Sequence, residues 1–160
     1  MSDYQLRAPR VGDFGWIVHR HGVLYAQEYG WDERFEGLVA GVVSDFIKRA
    51  DVERERFWVA ERDDRIIGCI MLAKHSDEVA KLRLLLVEPD ARGMGLGSHL
   101  IDECLKFARQ SGYRKIELWT NSNLLPARKL YERAEFSLIR SEPHTLFGNG
   151  LIGETWERML

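Results

Sequence analysis

The stretch Leu84-Leu85-Leu86-Val87-Glu88-Pro89-Asp90-Ala91-Arg92-Gly93-Met94-Gly95-Leu96-Gly97-Ser98 decides how the chain folds. Its apolar start reads as a buried strand, and residues 89–92 break it, because proline cannot continue a ladder. Glycines at positions 93, 95 and 97 then open an amphipathic helix. They leave backbone N–H groups uncovered by side chains. The helix start adds N–H groups without an intrahelical acceptor, together with the positive end of the dipole. The stretch predicts a socket for a diphosphate, with Arg92 beside it as a fixed cation, and so a nucleotide-bearing cofactor.

The pattern extends on both sides. The strand runs from about Ala80 to Val87; strict alternation puts Leu82, Leu84 and Leu86 on one face and Arg83, Leu85 and Val87 on the other. The socket helix carries Leu100, Ile101, Cys104, Leu105 and Ala108 as a buried stripe and ends at Gly112. A strand over 115–120, a helix from Asn123 to about Arg133, and strands over 136–140 and 152–159 follow. The last two are separated by a loop with Pro143, Gly148 and Gly150, where His144 and Phe147 could gate a pocket. Toward the N-terminus, Gln5–Arg7 is a short edge strand. Asp13 caps a helix with Phe14, Ile17, Val18, His21, Leu24 and Tyr25 on one face, which Gly30 ends. Asp32 caps a second, with Phe35, Leu38, Val39, Val42, Val43, Phe46 and Ile47. Strands over 57–60 and 65–73 join at an Asp63-Asp64 turn; the second is nearly all apolar and is expected to be covered on both faces. The order β-αα-βββ-α-β-α-ββ predicts an α/β (α+β) three-layer fold around a mixed sheet, one domain over 1–160.

Net charge is −2, which gives no electrostatic case for nucleic acid or an anionic membrane as partner. No apolar run approaches the roughly 20 residues that span a bilayer. The first residues lack the basic and apolar regions of a secretion signal, so cytoplasm is expected. Cys69 and Cys104 lack CxxC spacing and read as buried small hydrophobes. No cluster has metal-ligand spacing, and no metal is expected.

Three phosphate loops compete for the socket. A P-loop needs Gly-Lys-Ser/Thr, and no lysine follows these glycines. A dinucleotide loop needs GxGxxG directly after a strand and an acid about twenty residues on. Gly93-x-Gly95 with Ser98 is a near miss and Glu117 lies downstream, but residues 89–92 intervene and too little chain remains for a second nucleotide half. The third, Arg/Gln-x-x-Gly-x-Gly/Ala, is matched in full by residues 92–97.

With that loop, Val87-x-Pro89 and Ala127-x-x-Leu130-Tyr131-x-x-x-x-Phe136, the chain resembles the GCN5-related N-acetyltransferase (GNAT) family over nearly all its length. Leu118-Trp119-Thr120-Asn121 and His144-x-x-Phe147-Gly148 look like the acetyltransferase domains joined to MarR-type regulators, although the 160 residues leave no room for a winged helix. The resemblance implies a mostly antiparallel mixed sheet with a splayed strand pair, and acetyl-CoA as acyl donor. Backbone donors from Arg92, Gly93, Met94, Gly95, Leu96, Gly97 and Ser98 would hold the pyrophosphate. Leu85, Leu86 and Val87 would pair with the pantetheine arm as an added strand does. Two departures stand out. Glu135 occupies a turn position where the family often has glycine, so the turn is expected to differ. Asn123, counterpart of an asparagine on the pantetheine arm, is displaced by one residue.

The implied reaction is attack by a primary amine of a small molecule, amino acid or protein on the thioester, in a ternary complex. Val87 N–H would hold the oxyanion. Tyr131 matches the family's general acid and would protonate the leaving thiolate; a core aromatic is the plainer alternative. Glu117 and Glu154 are candidate bases through water, and water alone is another. For the acceptor, the aromatic and acidic connection around Tyr25, Glu28 and Trp31 suits a cationic amine, and Arg83 suits a carboxylate. An amino acid would satisfy both. His21 reads as a core histidine. A non-catalytic acyl-CoA sensor is the competing function. Many members of the family dimerise, and an exposed C-terminal strand would permit a homodimer here.

Overall fold

Two neighbouring strands that part company organise the molecule. A computed structural model describes residues 3–49 and 51–160. Among these, seven strands form one sheet in the order β1-β2-β3-β4-β5-β7-β6. They are β1 (Gln5–Arg7), β2 (Arg56–Arg62), β3 (Arg65–Lys74), β4 (Val79–Val87), β5 (Lys115–Asn121), β6 (Ser137–His144) and β7 (Leu151–Met159). The helices are α1 (Asp13–Tyr29), α2 (Glu33–Arg49), α3 (Leu96–Gln110) and α4 (Leu125–Arg133). Every pairing is antiparallel except β4 with β5. That parallel pairing ends at Leu82↔Leu118, and beyond it the two strands splay. No described helix is long and apolar enough to cross a membrane.

A bulge in β4 sits at the splay. Leu84 has φ +57, and the register with β3 shifts between Cys69 and Met71. The extra residue breaks the alternation expected for this strand. Leu82, Leu85 and Val87 pack with Leu96, Leu100 and Tyr131 on the α3/α4 side. Leu84 and Leu86 pack with Ile17, Leu24 and Val39 on the α1/α2 side. Leu82 therefore does not share a face with Leu84 and Leu86. Arg83 belongs to the α1/α2 side, where its charge feels Arg49 and Asp45. The two apolar clusters on either side of the sheet make the three layers.

Most element ends fall as their residues dictate. Gly30 closes α1 with φ +72. Asp32 accepts the Arg34 N–H at 2.9 Å ahead of α2. Asp63 and Asp64 both take positive φ in the β2–β3 turn. Asp13 is the first residue of α1 and not its cap: its carboxylate accepts Arg10 N–H and the Arg7 guanidinium, while Gly12 takes the cap position. Ile47 is exposed, beyond the packed face of α2. Pro143 lies within β6, opposite Ile152, and not in the following loop. An outermost strand tolerates it. At this end of the sheet the edge is β6, and the C-terminal strand β7 lies between β5 and β6. Glu135 adopts φ +66, so the turn after α4 keeps the left-handed geometry that glycine favours, and is not remodelled.

Candidate active site

The glycine stretch forms the turn and helix start that its spacing predicts. Pro89–Ala91 form one 3-10 turn that Arg92 N–H closes on Pro89 O at 3.4 Å. Gly93 and Gly95 then take φ +82 and +80, a region costly for residues with a Cβ. Open space lies where their Cβ atoms would be. The first backbone bond into α3 is His99 N–H to Gly95 O, at 3.1 Å. The N–H groups of residues 93–98 are thus left without a backbone acceptor among the described residues. Gly97 lies against Leu130, so α4 packs onto the start of α3.

These elements enclose a cavity of about 340 Å³. Its walls are Leu24, Tyr25, Glu28 and Tyr29 of α1, Leu85 and Val87 of β4, the loop with α3, and Leu124, Ala127, Lys129, Leu130 and Arg133 around α4. Glu88 N–H donates to Ile67 O at 2.8 Å, toward β3. By alternation, Val87 N–H points the other way, into the splay. Glycine cradle, free donors and open strand edge fit a phosphate-bearing group with a strand-like arm. Lys129 and Arg133, one turn apart on α4, add two cations that make no ion pair or hydrogen bond among the described residues. Sequence reading missed both, although their i, i+4 spacing was visible.

A second cavity of about 220 Å³ lies on the other side of Leu85. It is lined by His21, Tyr25, Trp31, Phe35, Lys81, Arg83, Trp119, Thr120, Asn121 and Tyr131, among others. The two cavities share Tyr25, Leu85 and Leu124. Tyr131 is buried, and its hydroxyl bonds to no described residue. Burial pushes its pKa up, so the phenol keeps its proton at neutral pH. Tyr25 stacks on Trp31 at 5.2 Å, and its hydroxyl donates to Leu85 O at 3.3 Å. His21 Nδ1–H donates to Ile17 O at 2.8 Å, which leaves Nε2 as a bare lone pair with no partner. Burial lowers its pKa to about 4, against the smaller opposing effect of that carbonyl.

The other expected site residues fall in varied places. Arg92 makes a two-point fork to Glu28 at 2.6 and 3.0 Å, so its guanidinium is committed, and Glu28 lines the first cavity and not the second one. Met94 turns toward Arg62, and Leu86 is buried in the α1/α2 cluster; neither lines either of these two cavities. Asn123 is exposed and lines neither cavity, whereas Asn121 is buried and accepts His144 Nε2–H at 2.7 Å. Phe147 is fully buried against Trp31 and Phe35. Glu154 is buried, held by Arg128 at 2.9 Å and Trp156 Nε1–H at 3.1 Å. Glu117 pairs with Lys115 at 3.3 Å, where β4 and β5 are still joined.

A profile of the acetyltransferase (GNAT) family matches residues 23–136, from within α1 to the turn after α4. The chain belongs to the acetyltransferase (GNAT) family. The probable N-acetyltransferase camello of Xenopus tropicalis is 30% identical over 131 residues, covering 75% of this chain and 58% of the relative. The chain thus spans less than two thirds of that relative's length. The GNAT fold also appears in solved structures. The Salmonella typhimurium protein yncA, solved with its cofactor acetyl-CoA, superposes with a TM-score of 0.77 at 17% identity, covering 99% of this chain and 95% of that one. A spermidine N-acetyltransferase from Vibrio cholerae, solved with CoA and spermine, gives a TM-score of 0.73 at 21% identity, covering 99% and 96%.

Proposed function

We propose that the chain transfers the acetyl group of acetyl-CoA directly to a primary amine, both molecules being bound at once. The observation that carries this reading is the junction of the two cavities at Tyr25, Leu85 and Leu124, beside the unpartnered hydroxyl of Tyr131. Donor and acceptor entering from opposite sides would meet there. A cysteine acyl-enzyme is disfavoured: Cys69 and Cys104 are fully buried, and burial raises both thiols well above neutral pH.

The thioester supplies the acetyl group. The N–H groups of residues 93–98, with Lys129 and Arg133, hold the phosphates. Each charge-assisted bond contributes roughly 1.5–3 kcal/mol, and the helix end about 1 kcal/mol more. Val87 N–H holds the carbonyl oxygen as negative charge develops on it. Tyr131 donates its proton to the departing sulfur. A free amine must form first, since an ammonium has no lone pair. Glu154 is committed to Arg128 and Trp156, Glu117 to Lys115, and His21 is too weak a base, so we assign that proton to water.

Tyr131→Phe should lower kcat at least tenfold while leaving the affinity for acetyl-CoA unchanged. Steady-state CoA release and calorimetric titration measure the two quantities. An undiminished rate removes Tyr131 from the chemistry. Binding of acetyl-CoA without turnover of any amine in a broad panel would instead favour an acyl-CoA sensor.

A further inference from the structure

The second cavity has a one-sided charge. Lys81 and Arg83 both line it, and none of its lining residues is a carboxylate. Arg83 makes no ion pair and no hydrogen bond among the described residues. Its burial lowers the guanidinium pKa, and the nearby Arg49 lowers it further. Asp45 opposes this, from beyond ion-pair distance. Arg49 itself is taken by Glu55 at 2.8 Å. Lys81 is likewise shifted down, by burial first and Arg83 second, against the pull of Glu117, which Lys115 holds. Two half-buried like charges side by side, neither ion-paired among the described residues, are unfavourable unless something negative joins them. Glu28, the acid that suggested a cationic group on the acceptor, is turned to Arg92. The rest of the wall is mainly apolar, with leucines beside the rings of Tyr25, Trp31, Phe35 and Trp119 and with Thr120 and Asn121 as polar members.

We propose that the acceptor is a small amino acid whose carboxylate sits between Arg83 and Lys81, with an apolar or aromatic body against Tyr25, Trp31, Phe35 and Trp119. The proposal rests on the acetyltransferase reading and narrows its acceptor. Arg83 precedes Leu85 by two residues on β4, so a carboxylate held there leaves the α-amine of the same molecule close to the junction of the cavities. The volume, about 220 Å³, suits such a molecule and lies below the range of drug-sized sites, which begins near 300 Å³. A polyamine would bring further positive charge to two cations and is disfavoured.

The test uses reaction products, so it does not depend on turnover. With the full chain saturated in CoA, calorimetry measures Kd for the N-acetyl derivatives of phenylalanine, leucine, methionine and glycine, and for their uncharged carboxamides. At least one acid should bind tenfold or more tightly than its amide, a difference of about 1.4 kcal/mol. Arg83→Gln should bring that ratio near one, Lys81→Gln should reduce it less, and Arg83→Lys should restore part of it. The affinity for CoA of each variant, measured in parallel, reports that it is folded. Equal affinity for acids and amides in the unaltered chain, no binding of any acid, a ratio unmoved by Arg83→Gln, or tighter binding of N-acetylspermine would each overturn the proposal. Loss of CoA binding in the unaltered chain would overturn the acetyltransferase reading itself, a different result on the same instrument.

Discussion

Glu28 holds Arg92 by two bonds at the edge of the donor cavity, from a helix 64 residues away in sequence. A carboxylate beside a phosphate socket costs the anion that binds there. Both partners are partly exposed, so the effect is small: pairs of this kind are worth about 0.2–1 kcal/mol. Glu28→Gln removes the negative charge and releases Arg92 toward the phosphates. The Kd for CoA should fall about two- to fivefold, measured by calorimetry at low salt, and the gain should fade as salt rises. Weaker binding would mean that Glu28 is needed to aim Arg92. The contrast between these two residues shows what the chain reveals when read alone. Arg92 is legible because it belongs to a local spacing. Its partner is not, because pairing over 64 positions depends on where α1 lands. Lys81 escaped notice for the same reason: on a strand it reads as an ordinary solvated charge until the splay closes a cavity over it.

The strand that carries the junction owes its shape to one residue more than a regular ladder allows. Leu84 at φ +57 swaps the faces of β4, so that Arg83 looks toward α2 while Leu85 and Val87 look toward α3 and α4. Nothing in Leu84-Leu85-Leu86 marks the swap, since a run of like residues has no alternation to interrupt. Element order was readable, by contrast, because caps, glycine stops and helical periods are local. Beyond the bulge, where it pairs with Val87, Gly68 of β3 approaches β4 and α3 closely. A Cβ there would stand 2.8 Å from Leu86 O and 3.1 Å from Leu96 Cδ2. The first neighbour is backbone and cannot step aside. Gly68→Ala should therefore destabilise the fold by about 1–3 kcal/mol, with Tm falling roughly 2–4 °C per kcal/mol. Because Leu96 opens the helix below the glycine loop, affinity for CoA should weaken as well. Calorimetric scans and titrations check both, and an unchanged Tm would mean that β3 and β4 can move apart at this point.

Across the whole molecule, the α1/α2 layer closes over the sheet with a histidine in its contact face. His21 is 2% exposed, near the rings of Tyr25 and Phe35. In the folded chain its pKa is lowered to about 4, first by burial. In the unfolded chain it returns to about 6.5. Between these values the unfolded chain binds the extra proton. Stability is then fully present above pH 6.5 and lost as pH falls toward 4, by about 3 kcal/mol in total. Asp32 and Asp90, held below the usual carboxylate value by hydrogen bonds from Arg34 and Arg65, lose their contributions at lower pH still. The interval from 6.5 to 4 therefore reports chiefly on His21. A charged His21 would also join Lys81 and Arg83 in a cavity whose lining holds no carboxylate. Urea denaturation at pH 7.5 and 5.0 should show the unaltered chain losing about 2 kcal/mol between them. His21→Phe, which keeps an aromatic ring in the same place, should lose much less. Equal losses in the two proteins would show that His21 takes up its proton without opening the layer, and that acid sensitivity arises elsewhere.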